Sequence, residues 1–292
     1  MASSILKKFQ QFVIIVIAIN FLSSCRKEEN NNANCSAGSD AITFNHNGQS
    51  REYLLYKPTN LPSNAPLVFV LHGSDQQVEH LYNYFGFNQV ADTAKFAVCY
   101  PQGSDCYWQE DDINSNDIDF LKSLAQYLQT EHNLSADKTF ATGFSAGGGM
   151  SYLLGLEAND VFKAIAPVAG GISETVWSDK NPQNPIPVFV IHGTADQIVP
   201  INGGGKGNLE AVQSIVNYFK NFNLCSSTTN SQFNTNTIAS YHLNGTNNNE
   251  VWYYSISGQD HIFPGDSDPG VGSSDISGFH GASEIWRFFR RW

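Results

Sequence analysis

Residues 140–154 read FATGFSAGGGMSYLL. Gly143-Phe144-Ser145-Ala146-Gly147 fits G-x-S-x-G, the pattern of a serine on a tight strand-to-helix turn. The reason for the pattern is steric. Residues two before and two after the serine crowd the turn, so both are glycine. The turn exposes the serine Oγ near a helix N-terminus, whose dipole favours developing negative charge. An apolar, β-branched run, KTFATG, precedes the serine and GGMSYLLG continues as a helix. The pattern lacks G-x-x-x-x-G-K-[ST], which excludes a phosphate-binding loop of that type. The alternative for the stretch is a purely structural bend.

Outward from that turn, short apolar runs alternate with helical patterns. PLVFVLHG (66–73), KFAVCYPQG (95–103), VFKAIAPVAGG, IPVFVIHG and EVWYYSI read as strands. Their continuous apolar character is that of strands covered on both faces. AITFNHNGQSREYLLYKP (41–58) reads as a hairpin turning at Asn47-Gly48. DIDFLKSLAQYLQTEH (117–132), NLEAVQSIVNYFKNF and the closing GASEIWRFFRRW carry helical spacing. The alternation predicts an α/β fold with a mostly parallel sheet and helices on both faces. Strand-to-helix loops then gather at the carboxyl ends of the strands, where ligands bind.

A serine nucleophile needs a base and an orienting acid, in the order Ser…Asp…His for such a sheet. Asp196 follows the apolar strand in VFVIHGTADQIVP and is the candidate acid; the alternative is a turn-forming aspartate. Of eight histidines, His46, His80 and His132 precede the serine in polar contexts. His72 and His192, each between a strand and a glycine, read as loop braces, and His242 falls inside a strand. His261, in SISGQDHIFPG, lies on a loop downstream of Asp196 and is the candidate base, with His280 its rival. Asp260, beside His261, is badly placed to orient its own neighbour's ring. An oxyanion hole needs two backbone N–H groups. These are expected from Ala146 and, on the loop after PLVFVLHG, from Ser74.

The chain has 292 residues, 41% hydrophobic and 13% aromatic, enough for one large core. Its formal net charge of -11 argues against nucleic acid and against a polybasic membrane patch. Lys7 and Lys8 followed by the apolar 12–19 form an export signal too short to span a bilayer. The next stretch, Leu22-Ser-Ser-Cys25, resembles a bacterial lipobox, which implies cleavage before Cys25 and lipidation of it. The ordinary secretory signal is the alternative. The expected organisation is a signal peptide over 1–24, a flexible Asn-rich tether over 25–40 and one catalytic domain over 41–292. The protein is then exported, either lipid-anchored in the cell envelope or secreted. Cys35, Cys99, Cys106 and Cys225 permit two disulfides in an oxidising compartment. Cys99–Cys106 with Cys35–Cys225 is the favoured pairing, and a buried free thiol at Cys99 is the alternative.

PLVFVLHG, YPQG…W, DIDFL, TGFSAGGGM, APVAGG, IHGTADQIVP, GQDHIFPG and IWRFF together resemble the poly(3-hydroxybutyrate) depolymerase and feruloyl esterase family of α/β-hydrolases, which includes the family-one carbohydrate esterases. The similarity runs from Ser50 to Trp292. It implies Ser145 as nucleophile, Asp196 as acid and His261 as base, matching the residues chosen above. The family loop Gly-His-Thr-Trp-Pro-Gly differs here, with Asp260 for the first glycine and Phe263 for the tryptophan.

The resemblance implies a serine carboxylesterase that needs no cofactor and no metal, and the sequence has no His/Cys cluster with metal-ligand spacing. Its partner is expected to be a polysaccharide-ester or polyester substrate, and the protein a monomer. Trp108, Trp177 and Phe263, with Tyr107, are candidates for stacking on substrate; their alternative is core and rim packing. Residues 173–185 read as an irregular loop over the site. A non-catalytic carbohydrate-binding lipoprotein is the reading from another class, opposed by the complete Ser, Asp and His set.

Overall fold

The computed structural model describes residues 35–269 and 274–292. The signal peptide, Cys25 and the first part of the tether lie outside the described residues.

Strand β3 (Ala65–Leu71) shows how the sheet works. Successive side chains of a strand point to opposite faces. Leu67, Phe69 and Leu71 enter one core and Val68 and Val70 the other. A strand buried on both sides has no polar positions, which is why PLVFVLHG reads as an unbroken apolar run. Its neighbours are β4 (Ala97–Pro101) and β5 (Leu134–Phe144), both parallel to it. The parallel set continues through β6 (Ala164–Val168), β7 (Val188–Gly193) and β10 (Val251–Ile256). Antiparallel strands close the edges. They are β1 (Ile42–His46) and β2 (Gln49–Tyr56) on one side, β8 (Ser227–Gln232) and β9 (Thr237–Leu243) on the other. The order is β1-β2-β4-β3-β5-β6-β7-β10-β9-β8. The β1–β2 hairpin turns at Asn47-Gly48, both with positive φ, as the sequence predicts.

Helices cover both faces. On one lie α3 (Asn116–Glu131), α4 (Ala146–Glu157) and α6 (Val212–Phe222). On the other lie α1 (Val78–Tyr84), α2 (Phe87–Ala94) and α7 (Gly281–Phe289). The short α5 (Glu174–Asp179) is capped by Ser173, whose Oγ accepts from the Val176 N–H. Half of the stretch expected to be irregular over 173–185 is therefore helical. Among the described residues, no helix is long and apolar enough to cross a membrane.

Two expectations at the N-terminal side are corrected. The tether expected over 25–40 ends earlier, since residues 35–37 dock on the domain. Ala37 is fully buried, its N–H and the Ser36 hydroxyl both donate to Glu52, and Cys35 is covalently tied. The disulfide is Cys35–Cys106, not Cys99–Cys106 with Cys35–Cys225. Cys99 points into the core from β4, and burial pushes its thiol pKa well up. Cys225 is half-buried and also unpaired. The pairing reflects docking of residues 35–37 against Glu52 of β2, beside the loop after β4.

Candidate active site

Ser145 stands between β5 and α4 with φ 57° and ψ −120°. A non-glycine residue in that region is strained, and the surroundings hold it there. Its N–H donates to Val168 O at 3.0 Å, and its C=O accepts from Gly149 N at 3.0 Å. The flanking glycines are required by space. A Cβ on Gly143 would lie 2.4 Å from Gly147 O, and one on Gly147 would lie 2.2 Å from Leu71 O. Gly148 lets α4 approach the end of β6, where its Cβ would meet Val168 O at 2.8 Å. Gly149 faces elsewhere, toward the side chain of Glu110.

Asp196 and His261 follow adjacent parallel strands, β7 and β10. The two loops touch at Gly193, where a Cβ would lie 2.2 Å from Gln259 O, and Ala195 N donates to that same oxygen at 3.0 Å. The closeness brings His261 Nδ1 to 2.7 Å from Asp196 Oδ2. The other carboxylate oxygen accepts from Ile198 N at 2.9 Å and Val199 N at 2.8 Å. Burial raises the Asp196 pKa, but the hydrogen bond and charge of His261 and the Val199 N–H outweigh it, so the net shift is downward. With its Nδ1 proton held by Asp196, the neutral His261 ring carries its lone pair on Nε2. The His261 ring also packs on Phe144, the residue before Ser145, at 4.7 Å between centroids.

The other histidines lie elsewhere. His280 precedes α7, with its Nδ1 3.3 Å from Ser283 Oγ. His80 bridges Asp266 and Asp268, and His46 lies 3.4 Å from Asp119. His242 meets Thr228, and His132 meets Lys57. His192 donates from Nε2 to Val199 O at 2.8 Å, bracing the Asp196 loop. His72 has the same duty on a larger scale. Its Nδ1 donates to Gly73 O at 2.7 Å, and its Nε2 accepts from Gly103 N at 2.8 Å. Burial pushes its pKa down to about 4, although the bond to Gly73 opposes this. Asp260 accepts from the backbone N–H of His261, not from its ring.

A cavity of about 360 Å³ opens beside Ser145, lined also by Ser74, Ala146, Tyr107 and Trp108. Among the described residues, neither the Ser74 nor the Ala146 N–H donates to a protein acceptor. The loop that carries Ser74 is fixed on either side. Gly73 N donates to Gln76 Oε1, Asp75 N to Cys106 O, and the Trp108 indole N–H to His72 O.

The expected aromatic contacts divide. Trp108 lines the cavity, although only 5% of it is exposed, and Tyr107 stands exposed at the rim, hydrogen-bonded to Asp75. Trp177 is absent from the lining and packs on Tyr218 and under the Lys180 ammonium. Phe263 is 1% exposed and stacked on Phe85 at 4.0 Å, so it is core, not pocket rim. Sequence reasoning missed Glu110, Ile198, Lys206 and Leu209, all in the lining. Lys206 had a visible signal, since it interrupts a glycine run (Gly203-Gly204-Gly205-Lys206-Gly207) whose four glycines all have positive φ.

The family model described as Esterase PHB depolymerase matches this chain over residues 51–184. The motif resemblance is borne out. Among related proteins, the bifunctional acetylxylan esterase/xylanase XynS20E of Neocallimastix patriciarum is 29% identical over 152 residues, 52% of this chain and 22% of its own length. The protein named "Probable feruloyl esterase C" of Aspergillus oryzae is 28% identical over 200 residues, 65% of this chain and 72% of its own. The chain thus spans less than a quarter of the first relative and most of the second. In structure, the acetyl xylan esterase from Aspergillus awamori superposes with a TM-score of 0.61 at 14% identity, covering 86% of this chain and 98% of that one. The fold is that of the α/β-hydrolases. The Esterase PHB depolymerase match includes Ser145 and ends before Asp196 and His261.

Proposed function

We propose that this protein is a serine carboxylesterase acting through Ser145, His261 and Asp196. The observation that carries the reading is the 2.7 Å pairing of a buried Asp196 carboxylate with His261 Nδ1, on loops after β7 and β10, which continue the parallel sheet beyond β5 and β6. His261 Nε2 takes the Ser145 proton as Oγ attacks the ester carbonyl. The Ser74 and Ala146 N–H groups receive the oxyanion, each donor in such a hole contributing about 3 kcal/mol. The alcohol leaves with the proton from His261. Water, deprotonated by the same ring, then releases the acid from the acyl-enzyme.

Feruloyl or acetyl esters of plant polysaccharide such as xylan are the proposed substrates, in keeping with the names of the relatives. The name of the matching family model favours a second reading, depolymerisation of a polyester such as poly(3-hydroxybutyrate). The protein is proposed to act as an exported monomer anchored through lipid on Cys25, with neither metal nor cofactor.

Purified protein assayed on methyl ferulate, acetylated xylan and 3-hydroxybutyrate oligomers ranks the substrates. Ser145→Ala is expected to abolish turnover of a p-nitrophenyl ester while leaving the melting temperature near that of the parent. Unchanged turnover rejects the mechanism. His261→Ala is expected to lower kcat by about 10⁴-fold or more; if His280→Ala does so instead, the base is misassigned. Cys25→Ser is expected to release the protein from membranes, and retention rejects the anchor.

A further inference from the structure

The cavity beside Ser145 holds an acid that ester hydrolysis as proposed above does not use. Glu110 lies in the loop after β4 and lines the cavity with Ser145 and Gly149. Gly149 stands four residues after Ser145, and a Cβ there would be 3.2 Å from Glu110 Cγ. The Glu110 side chain therefore rests on the first turn of α4, about 6 Å along the helix axis from the serine. A substituent a few bonds from the reacting carbonyl reaches it.

Another carboxylate of this region, Asp117, shows what is unusual. Asp117 is buried and satisfied, accepting from Arg51 at 2.8 Å and from Gln109 N at 3.0 Å. Glu110 enters no ion pair among the described residues, and no other side chain there donates to it. A half-buried carboxyl whose donor is only its own backbone N–H carries a desolvation cost that a ligand hydroxyl would offset. Burial pushes its pKa up to about 7; the hydrogen bond from its own backbone N–H opposes this, Asp111 and Asp117 add to it, and Lys206 opposes it. Around it, Trp108 and Tyr107 present aromatic surface and Leu209 aliphatic surface. Apolar faces beside a carboxyl that no other side chain bonds suit a ring that carries both C–H faces and hydroxyl groups. The acidic pair Glu110 and Asp111 disfavours a substrate bearing a carboxylate there.

We infer that Glu110 is a specificity-determining residue that hydrogen-bonds a hydroxyl of a sugar on the alcohol side of the scissile ester. This rests on the esterase reading of the same cavity.

The test compares two acetyl esters that differ only in the alcohol, an acetylated xylo-oligosaccharide and p-nitrophenyl acetate. Glu110→Ala is expected to lower the ratio of kcat/KM for the sugar ester to that for the phenyl ester by about 10- to 100-fold, chiefly through KM. Glu110→Gln, isosteric and still able to hydrogen-bond, is expected to recover part of the ratio, and it decides the matter if the alanine variant fails to fold. A ratio unchanged in folded Glu110→Ala overturns the inference, as does an equal loss on both esters; where the alanine variant does not fold, a ratio unchanged in Glu110→Gln overturns it. If the parent protein hydrolyses p-nitrophenyl acetate but not the sugar ester, the inference falls and the esterase reading stands. If it hydrolyses neither, both fall.

Discussion

Two loops at the carboxyl ends of β4 and β5, the strands on either side of β3, meet at the cavity, and they are held in opposite ways. The turn after β5 is held by crowding. It needs no side-chain hydrogen bond, because Gly143 and Gly147 let backbone press on backbone and leave Ser145 one conformation. The loop after β4 is held by links to elements elsewhere in the chain: the disulfide to Cys35, the His72 ring bonded to Gly103 N, and its own Trp108 indole donating to His72 O. Steric confinement suits an atom that must not move during bond formation. Cross-links suit a wall whose lining residues can differ while the chemistry behind them is unchanged.

Breaking the wall's covalent link is expected to have the largest effect on stability. Cys35→Ser opens a closure of 71 residues, for which the chain-entropy argument gives about 4 kcal/mol. Urea denaturation of the variant, or of the parent under reductant, measures it. Because the β5 turn does not depend on this link, kcat on a small phenyl ester is expected to fall less than KM rises. Gly147→Ala attacks the other side. Its Cβ meets backbone that has nowhere to go, so a loss of about 3 kcal/mol is expected, and any folded fraction should show kcat reduced on the order of 100-fold. Equal kinetics for the two variants would erase the distinction between the loops.

The third prediction concerns pH and His72. Its pKa in the folded protein is about 4, below the 6.5 of an exposed imidazole. Between those values the unfolded chain binds the proton and the folded protein does not. The His72 contribution is therefore fully present above about pH 6.5 and is lost as pH falls toward 4, up to about 3 kcal/mol. Urea midpoints at pH 7 and pH 4.5 are expected to differ less in His72→Gln than in the parent. The smallest effect is expected at Trp177, packed away from the cavity. Trp177→Ala should change kcat/KM by about twofold or less, in keeping with a residue that makes no site contact.

The same contrast explains what could be read from the chain. A sterically specified turn writes its rule locally, so G-x-S-x-G with a strand before and a helix after was legible as Ser145 in place. Asp196 and His261 were legible because each follows an apolar strand, and parallel strands put such loops on one edge. The wall was not legible. Whether Cys106 meets Cys99 or Cys35 depends on where residues 35–37 dock, and the approach of Glu110 to Gly149 exists only between packed elements. Phe263 misled because an aromatic beside the candidate base His261 suits a rim as well as a core, and its burial and stacking on Phe85 distinguish them. The edge strand β8, Ser-Thr-Thr-Asn-Ser-Gln, was missed because it is mostly exposed and has no apolar alternation. Helices α1 and α2 were missed as short segments, α2 entered through a left-handed Gly86 in place of a capping side chain.

The Cys35–Cys106 bond also sets a path for force. β1 is an edge strand, and tension on an edge strand ordinarily unzips its hydrogen bonds one pair at a time. Tension entering at residue 35 reaches a covalent branch point before it reaches β1. Part of the load crosses to the loop after β4, which is seated through His72 on the interior strands of the sheet. A pull on the N-terminal side is thus shared with the loop that carries Tyr107 and Trp108 at the cavity.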